Sequence, residues 1–193
     1  MGCVLLMERE NDYEVVDNRH DKGYKELLQV KKVFVSLLKS FLKYNWVKDI
    51  NEDNVELVHN TFITKDYEKR EADIIYKVHK DDRDIYFYIL LELQSTVDFQ
   101  MPYRLLQYIM GIWNNILKDN EKSTVRRKTY KLPVVVPCVL YNGSNNWTAK
   151  RNFRDILESS EVFGKFVPDF EYILFDVKRY DDKKLLKLAN VIG

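Results

Sequence analysis

The chain is poor in the residues that advertise the commonest site chemistries. It has two cysteines, Cys3 and Cys138. They lie far apart and match no zinc or redox spacing, which excludes a disulfide framework and fits a reducing cytoplasm. Its three histidines, His20, His59 and His79, are scattered without metal-ligand spacing. Charge of one sign is also lacking: 31 basic residues against 30 acidic ones leave a formal net charge of +1. No gross basic bias calls for nucleic acid, so such binding would need a local patch. No apolar run reaches the roughly 18 residues that would span a membrane, so no membrane partner is expected. The start, MGCVLLMERE, is too short and too acidic for a signal peptide. Gly2-Cys3 invites acylation, but position 6 is Leu rather than the Ser or Thr of the myristoylation pattern. There is no internal repeat, low-complexity tract or clear interdomain linker.

What is present suits one globular domain. The 193 residues are 46% apolar and 32% charged, enough for a sizeable core. Residues 1–18 lack periodicity and read as an arm. Residues 19–193 read as the domain, cut short at its C-terminal end. Asp21 can cap a helix in which Leu27, Leu28, Phe34, Leu37, Leu38, Phe41 and Leu42 recur at helical spacing, with a break expected near Val30. Three strand-like runs follow, VELVHNTFIT (55–64), DIIYKV (73–78) and DIYFYILLELQ (84–94). The polar HKDDRD between the last two predicts an antiparallel hairpin. MPYRLLQYIMGIWNNIL (101–117) is a helix with Pro102 in its first turn and Leu105, Tyr108, Ile109, Ile112 and Ile116 on one face. A charged loop leads to a buried strand, LPVVVPCVLYNG (132–143). FRDILES reads as a short helix, FEYILFDV (170–177) as a last strand and DDKKLLKLANVIG as a final helix. The order α-β-β-β-α-β predicts a mixed sheet with helices against it, an α/β or α+β domain.

Glu92 and Gln94 close the longest apolar run. If the hairpin turns between Asp82 and Arg83, position 73 lies directly across from position 92, and opposed residues share a face. A turn centre moved by one residue puts Asp73 and Glu92 on a diagonal. Gln94 shares the face of Glu92 by alternation. Two carboxylates that close repel, so one keeps a proton or a cation lies between them. Mg²⁺ is held in this way, with water and phosphate oxygens completing its shell, and it can activate water against a phosphodiester. The plainer reading is a strand end meeting solvent and an acid pair that decorates the surface. Asp81, Asp82 and Asp84 read as solvated turn charge.

Four segments resemble the Rpn family, the recombination-promoting nucleases related to YhgA-like transposases. They are HDKGYKELL (20–28), Arg70-Glu71-Ala72-Asp73 with the strand after it, LLELQSTVDFQMPYRLLQYIMGIW (90–113) and LPVVVPCVLYNGSNNWTA (132–149). They occur in the family's order and cover most of residues 20–180. The resemblance implies a restriction-endonuclease-like αβββαβ core of the PD-(D/E)XK superfamily. It also implies DNA as substrate and Mg²⁺ as cofactor, leaving open whether Ca²⁺ or Mn²⁺ can replace it. Carried over by position, Asp73 is the strand acid and Glu92 the motif acid. The main-chain carbonyl of Leu93 is a further metal ligand, and Gln94 stands where the superfamily has Lys. Glu26 on the first helix is the better candidate for a further acid, with Asp21 next. A neutral amide can orient water but brings no charge, which leaves the level of activity open.

Arg104 can reach a phosphate or brace Glu92. Lys77 shares the Asp73 face and can contact the DNA backbone, although a solvated lysine is the simpler reading. Lys22 and Lys25, with Arg126, Arg127 and Lys128, can form a local basic patch. Trp113 and Trp147 read as packing residues. The function expected is a metal-dependent DNA endonuclease that promotes recombination. The alternative is a non-catalytic DNA-binding or protein-interaction module on the same fold. Whether two chains pair as a homodimer to cut both strands is left open.

Overall fold

The computed structural model describes residues 25–58, 74–81, 83–92 and 97–179. Among these described residues five strands form one mixed sheet in the order β1-β2-β3-β4-β5. They are β1 (Val55–Val58), β2 (Ile74–Lys80), β3 (Arg83–Glu92), β4 (Val134–Tyr141) and β5 (Ile173–Asp176). The first two pairings are antiparallel and the last two parallel. Helix α1 (Lys31–Phe41) covers one face and α2 (Met101–Asp119) the other. This is the mixed, helix-flanked sheet and the α-β-β-β-α-β order read from the sequence, consistent with a restriction-endonuclease-like core.

Two alternating sets of side chains build the two cores. Ile74, Tyr76, Val78, Phe87, Ile89, Cys138, Leu140 and Phe175 pack with Phe34, Leu37 and Leu38 of α1. Ile75, Tyr88, Val135, Val139 and Tyr172 pack with Leu105, Ile109 and Ile112 of α2. Burying both faces explains why β3 and β4 read as near-continuous apolar runs. Burial also pushes the Cys138 thiol well above its ordinary range, so it stays an unreactive core group.

The expected break in the first helix is real. Residues 25–28 form one helical turn, the chain bends at Gln29 and Val30, and α1 starts at Lys31. Tyr76 fastens that turn by donating its hydroxyl to the Leu28 carbonyl at 2.8 Å, while its ring stacks on Phe34.

The hairpin register differs by one step from direct opposition of positions 73 and 92. That opposition needs Ile74 beside Leu91, but Ile74 pairs with Ile89, and Lys80 with Arg83. Asp81 takes a positive φ of 50°, a conformation that Asp tolerates better than most residues. The connection therefore closes with two residues, one position earlier than a turn centred at 82–83.

Smaller differences follow from local chemistry. The charged loop after α2 contains one helical turn, α3 (Lys122–Val125). FRDILES forms a 3₁₀ turn over Phe153–Ile156, with the Asn152 side chain accepting from the Arg154 amide. A further short helix, α4 (Ser160–Phe163), follows Ser159 at φ 58°. The arm at 1–18, the end of the 55–64 run and the final helix lie outside the described residues.

Candidate functional site at the carboxyl ends of the parallel strands

Strands β3, β4 and β5 run parallel and end together. Glu92 is in register with Tyr141, and Tyr141 with Asp176. Alternation assigns positions 92, 141 and 176 to the sheet face that carries Tyr88, Val139 and Leu174, the face toward α2. Ligands of open α/β sheets gather outside such strand ends. Tyr141 is fully buried, its ring edge-on to Trp147 at 4.9 Å. Asp176 is half-buried with its Oδ1 enclosed by protein. Tyr141 and Asp176 are not candidates from the sequence. The strand ends are visible there, but the inter-strand register that aligns them is not.

The candidates from the sequence are distributed unevenly. Asp73, Leu93 and Gln94 lie outside the described residues, as do Asp21, Lys22, His20, His59 and Asp82. Glu92 is placed by its backbone at the end of β3. Glu26 is exposed on the 25–28 turn, beside half-buried Lys25. The Tyr76 bond to Leu28 attaches that turn to the sheet face packed by α1. Lys77 is ion-paired at 2.7 Å with Glu56, its register partner on β1. The hydrogen bond to that carboxylate raises the Lys77 pKa and keeps it charged. Arg104 donates to the Asp98 carboxylate at 2.5 Å, with both side chains largely buried. Lys77 and Arg104 therefore already serve acids within the chain.

Arg126, Arg127 and Lys128 are exposed just after α3, where a basic patch was expected. His79 pairs with Asp84 at 3.0 Å. Trp113 donates to the Pro133 carbonyl and Trp147 to the Tyr172 hydroxyl, each at 2.9 Å, which bears out their reading as packing residues. Among the described residues no group of three or more His, Cys, Asp or Glu side chains could hold a metal ion. No helix there is long and apolar enough to cross a membrane.

Beside the strand ends lies an open cleft of about 620 Å³, lined by Val97, Phe99, Ser144, Asn145, Asn146 and Thr148. One wall is a turn locked to α2. Asp98 accepts from the Gln100 amide at 2.8 Å, its carbonyl accepts from Met101, and its other carboxylate oxygen holds Arg104. The other wall follows β4. At Gly143 an added Cβ would collide with the buried Tyr141 ring, so only glycine lets the chain cross there. Trp147 then pins the segment to Tyr141 and Tyr172.

Residues 18–192 match the family described as putative transposase, YhgA-like. The recombination-promoting nuclease RpnD of Escherichia coli O157:H7 is 25% identical over 131 residues, covering 66% of this chain and 46% of that protein. The inactive recombination-promoting nuclease-like protein RpnE of E. coli K12 is 22% identical over 173 residues, 89% of this chain and 55% of that protein. The nuclease RpnC of E. coli K12 is 23% identical over 128 residues, 64% and 39% of the two chains. The chain thus spans about half the length of these relatives. No solved structure matches it.

Proposed function

Because this chain belongs to the YhgA-like putative transposase family, whose relatives include named recombination-promoting nucleases, we propose that it is a metal-dependent DNA endonuclease. The observation that carries the reading is the alignment of Glu92 with Tyr141 and Asp176 at the carboxyl ends of three parallel strands. That row puts the end of β3 at the carboxyl end of the parallel strands, outside which ligands of open α/β sheets gather.

The donor set suits Mg²⁺. Carboxylates of Asp73 and Glu92 and the main-chain carbonyl of Leu93 are all hard oxygens, and Asp176 adds a further carboxylate to the same row. If the hairpin register in which Ile74 faces Ile89 runs on by one residue, positions 73 and 92 are diagonal neighbours, an arrangement that lets two carboxylates share an ion. When bound, the ion supplies a more acidic water and stabilises charge on the phosphate. Gln94 orients the attacking water through its amide. Glu26 is the candidate for an additional acid. Arg104 acts indirectly, by holding the turn at Asp98.

The test is nicking of supercoiled plasmid with Mg²⁺ and with EDTA, using the full chain and its Asp73→Ala and Glu92→Ala variants. The expected result is Mg²⁺-dependent nicking that both variants lose while circular dichroism shows an intact fold. Nicking that survives both substitutions, or none from the intact chain, sinks the enzyme reading. A second reading is a DNA-binding or regulatory module without catalysis. It is favoured by the likeness to RpnE, a relative named inactive, and predicts equal DNA binding with EDTA and no cutting.

A further inference from the structure

The geometry points to the cleft between the Asp98 turn and the Ser144–Thr148 segment as a pocket for one unstacked nucleobase of the DNA strand. This inference rests on the nuclease reading for its substrate class.

The lining argues for a base rather than a phosphate. Among the described residues it carries no charged side chain: Val97, Phe99, Ser144, Asn145, Asn146 and Thr148 supply one aromatic ring, two amides, two hydroxyls and a valine. A phosphate needs cationic donors or massed amide N–H groups. A base offers a π-face and an edge of mixed donors and acceptors, which aromatic rings and Asn side chains read well. Asp98, in the turn between Val97 and Phe99, is ion-paired with Arg104, which offsets its charge toward an anionic strand. Its volume of about 620 Å³ falls within the roughly 300–1,000 Å³ of small-ligand sites.

Phe99 is the second observation. It is 62% exposed, which gives it no role in either core. Yet the residues around it are held by the Asp98–Gln100, Asp98–Met101 and Asp98–Arg104 hydrogen bonds. A large apolar ring presented to solvent on a braced turn is a preorganised stacking surface. The opposite wall is equally fixed, by Gly143 over Tyr141 and by Trp147. Because Tyr141 is the register partner of Glu92, the cleft opens beside the strand end that carries the proposed chemistry. A strand crossing that end can turn one base into the cleft.

The experiment titrates the full chain with a short single-stranded oligonucleotide carrying one 2-aminopurine, in EDTA so that nothing is cut. Plasmid nicking in Mg²⁺ is run in parallel. The intact chain is expected to quench the 2-aminopurine as it stacks. Phe99→Ala should lose the quench and bind about tenfold or more weakly, and Phe99→Trp should restore both. Asn146→Leu should change the preference among bases at the probed position. Phe166→Ala removes an even more exposed ring, 86% exposed and outside the cleft, and should leave the titration unchanged. Equal quenching by Phe99→Ala and the intact chain overturns the pocket. So does plasmid nicking by a chain that binds the oligonucleotide without quenching, and that result leaves the nuclease reading standing. Quenching that depends on Phe99, with no nicking in Mg²⁺, does the reverse: the pocket stands and the nuclease reading falls.

Discussion

The backbone of Gly143 crosses so closely over the ring of Tyr141 that no side chain fits between them. Tyr141 cannot yield easily, because it is fully buried and packed edge-on against Trp147. Gly143→Ala is therefore expected to destabilise the protein by about 1–3 kcal/mol through overpacking. Thermal unfolding should show it as a fall of about 2–4 °C per kcal/mol. An unchanged Tm would mean that the wall of the cleft is softer than its packing implies.

The Tyr76 hydroxyl bond to Leu28 joins the 25–28 turn to the sheet. Tyr76→Phe keeps the stacked ring but leaves a buried carbonyl without its donor, at a cost of about 1–3 kcal/mol. Denaturant unfolding should report a lower midpoint with an unchanged slope. Amide exchange should quicken first over residues 25–28, because their anchor is lost. Uniform quickening across the sheet would contradict this local role.

Alkaline pH should loosen the same interior. Burial raises the Tyr172 pKa to about 12, partly opposed by the Trp147 hydrogen bond, and raises that of Tyr76 as well. Both hydroxyls ionise more readily in the unfolded chain, near pH 10. Their contribution to stability is thus complete below about pH 10 and is lost as pH rises toward and past 12. Trp fluorescence during urea unfolding should show the midpoint falling through that window. Tyr172→Phe should flatten the slope.

Under the proposed chemistry Gln94 orients water without ligating metal. Gln94→Leu is then expected to lower the nicking rate by about 10²–10³, the usual loss for one positioned hydrogen-bonding group. The Mg²⁺ concentration giving half-maximal rate should stay where it was. A matching shift in that concentration would make Gln94 a ligand.

The parts legible in the sequence were those written in one stretch of chain. The α-β-β-β-α-β order, the bend near Val30 and the α2 stripe of Leu105, Ile109 and Ile112 all rest on local periodicity. Relations across the sheet were legible only in outline. The pairing of Ile74 with Ile89 depends on the backbone of Asp81, and composition marks a turn without fixing its centre. Lys77 and Arg104 looked available because their acids, Glu56 and Asp98, become neighbours only through folding. Tyr141 and Asp176 align with Glu92 by parallel register, which no single strand records. Family resemblance pointed to Asp73, Glu92 and Gln94, and spacing alone did not distinguish them from surface charge.

The two-residue loop after Lys80 acts as a phase setter for the whole hairpin. Side chains alternate with period two, so lengthening the loop by one residue shifts the pairing of β2 against β3 by one position. The faces of Tyr76 and Phe87 would then no longer agree, although both now belong to the α1 core. The same parity runs on along β3 to Glu92, roughly 30 Å from the loop at strand rise. Which core each hairpin residue joins is thus tied to the length of the loop at the opposite end of the strands.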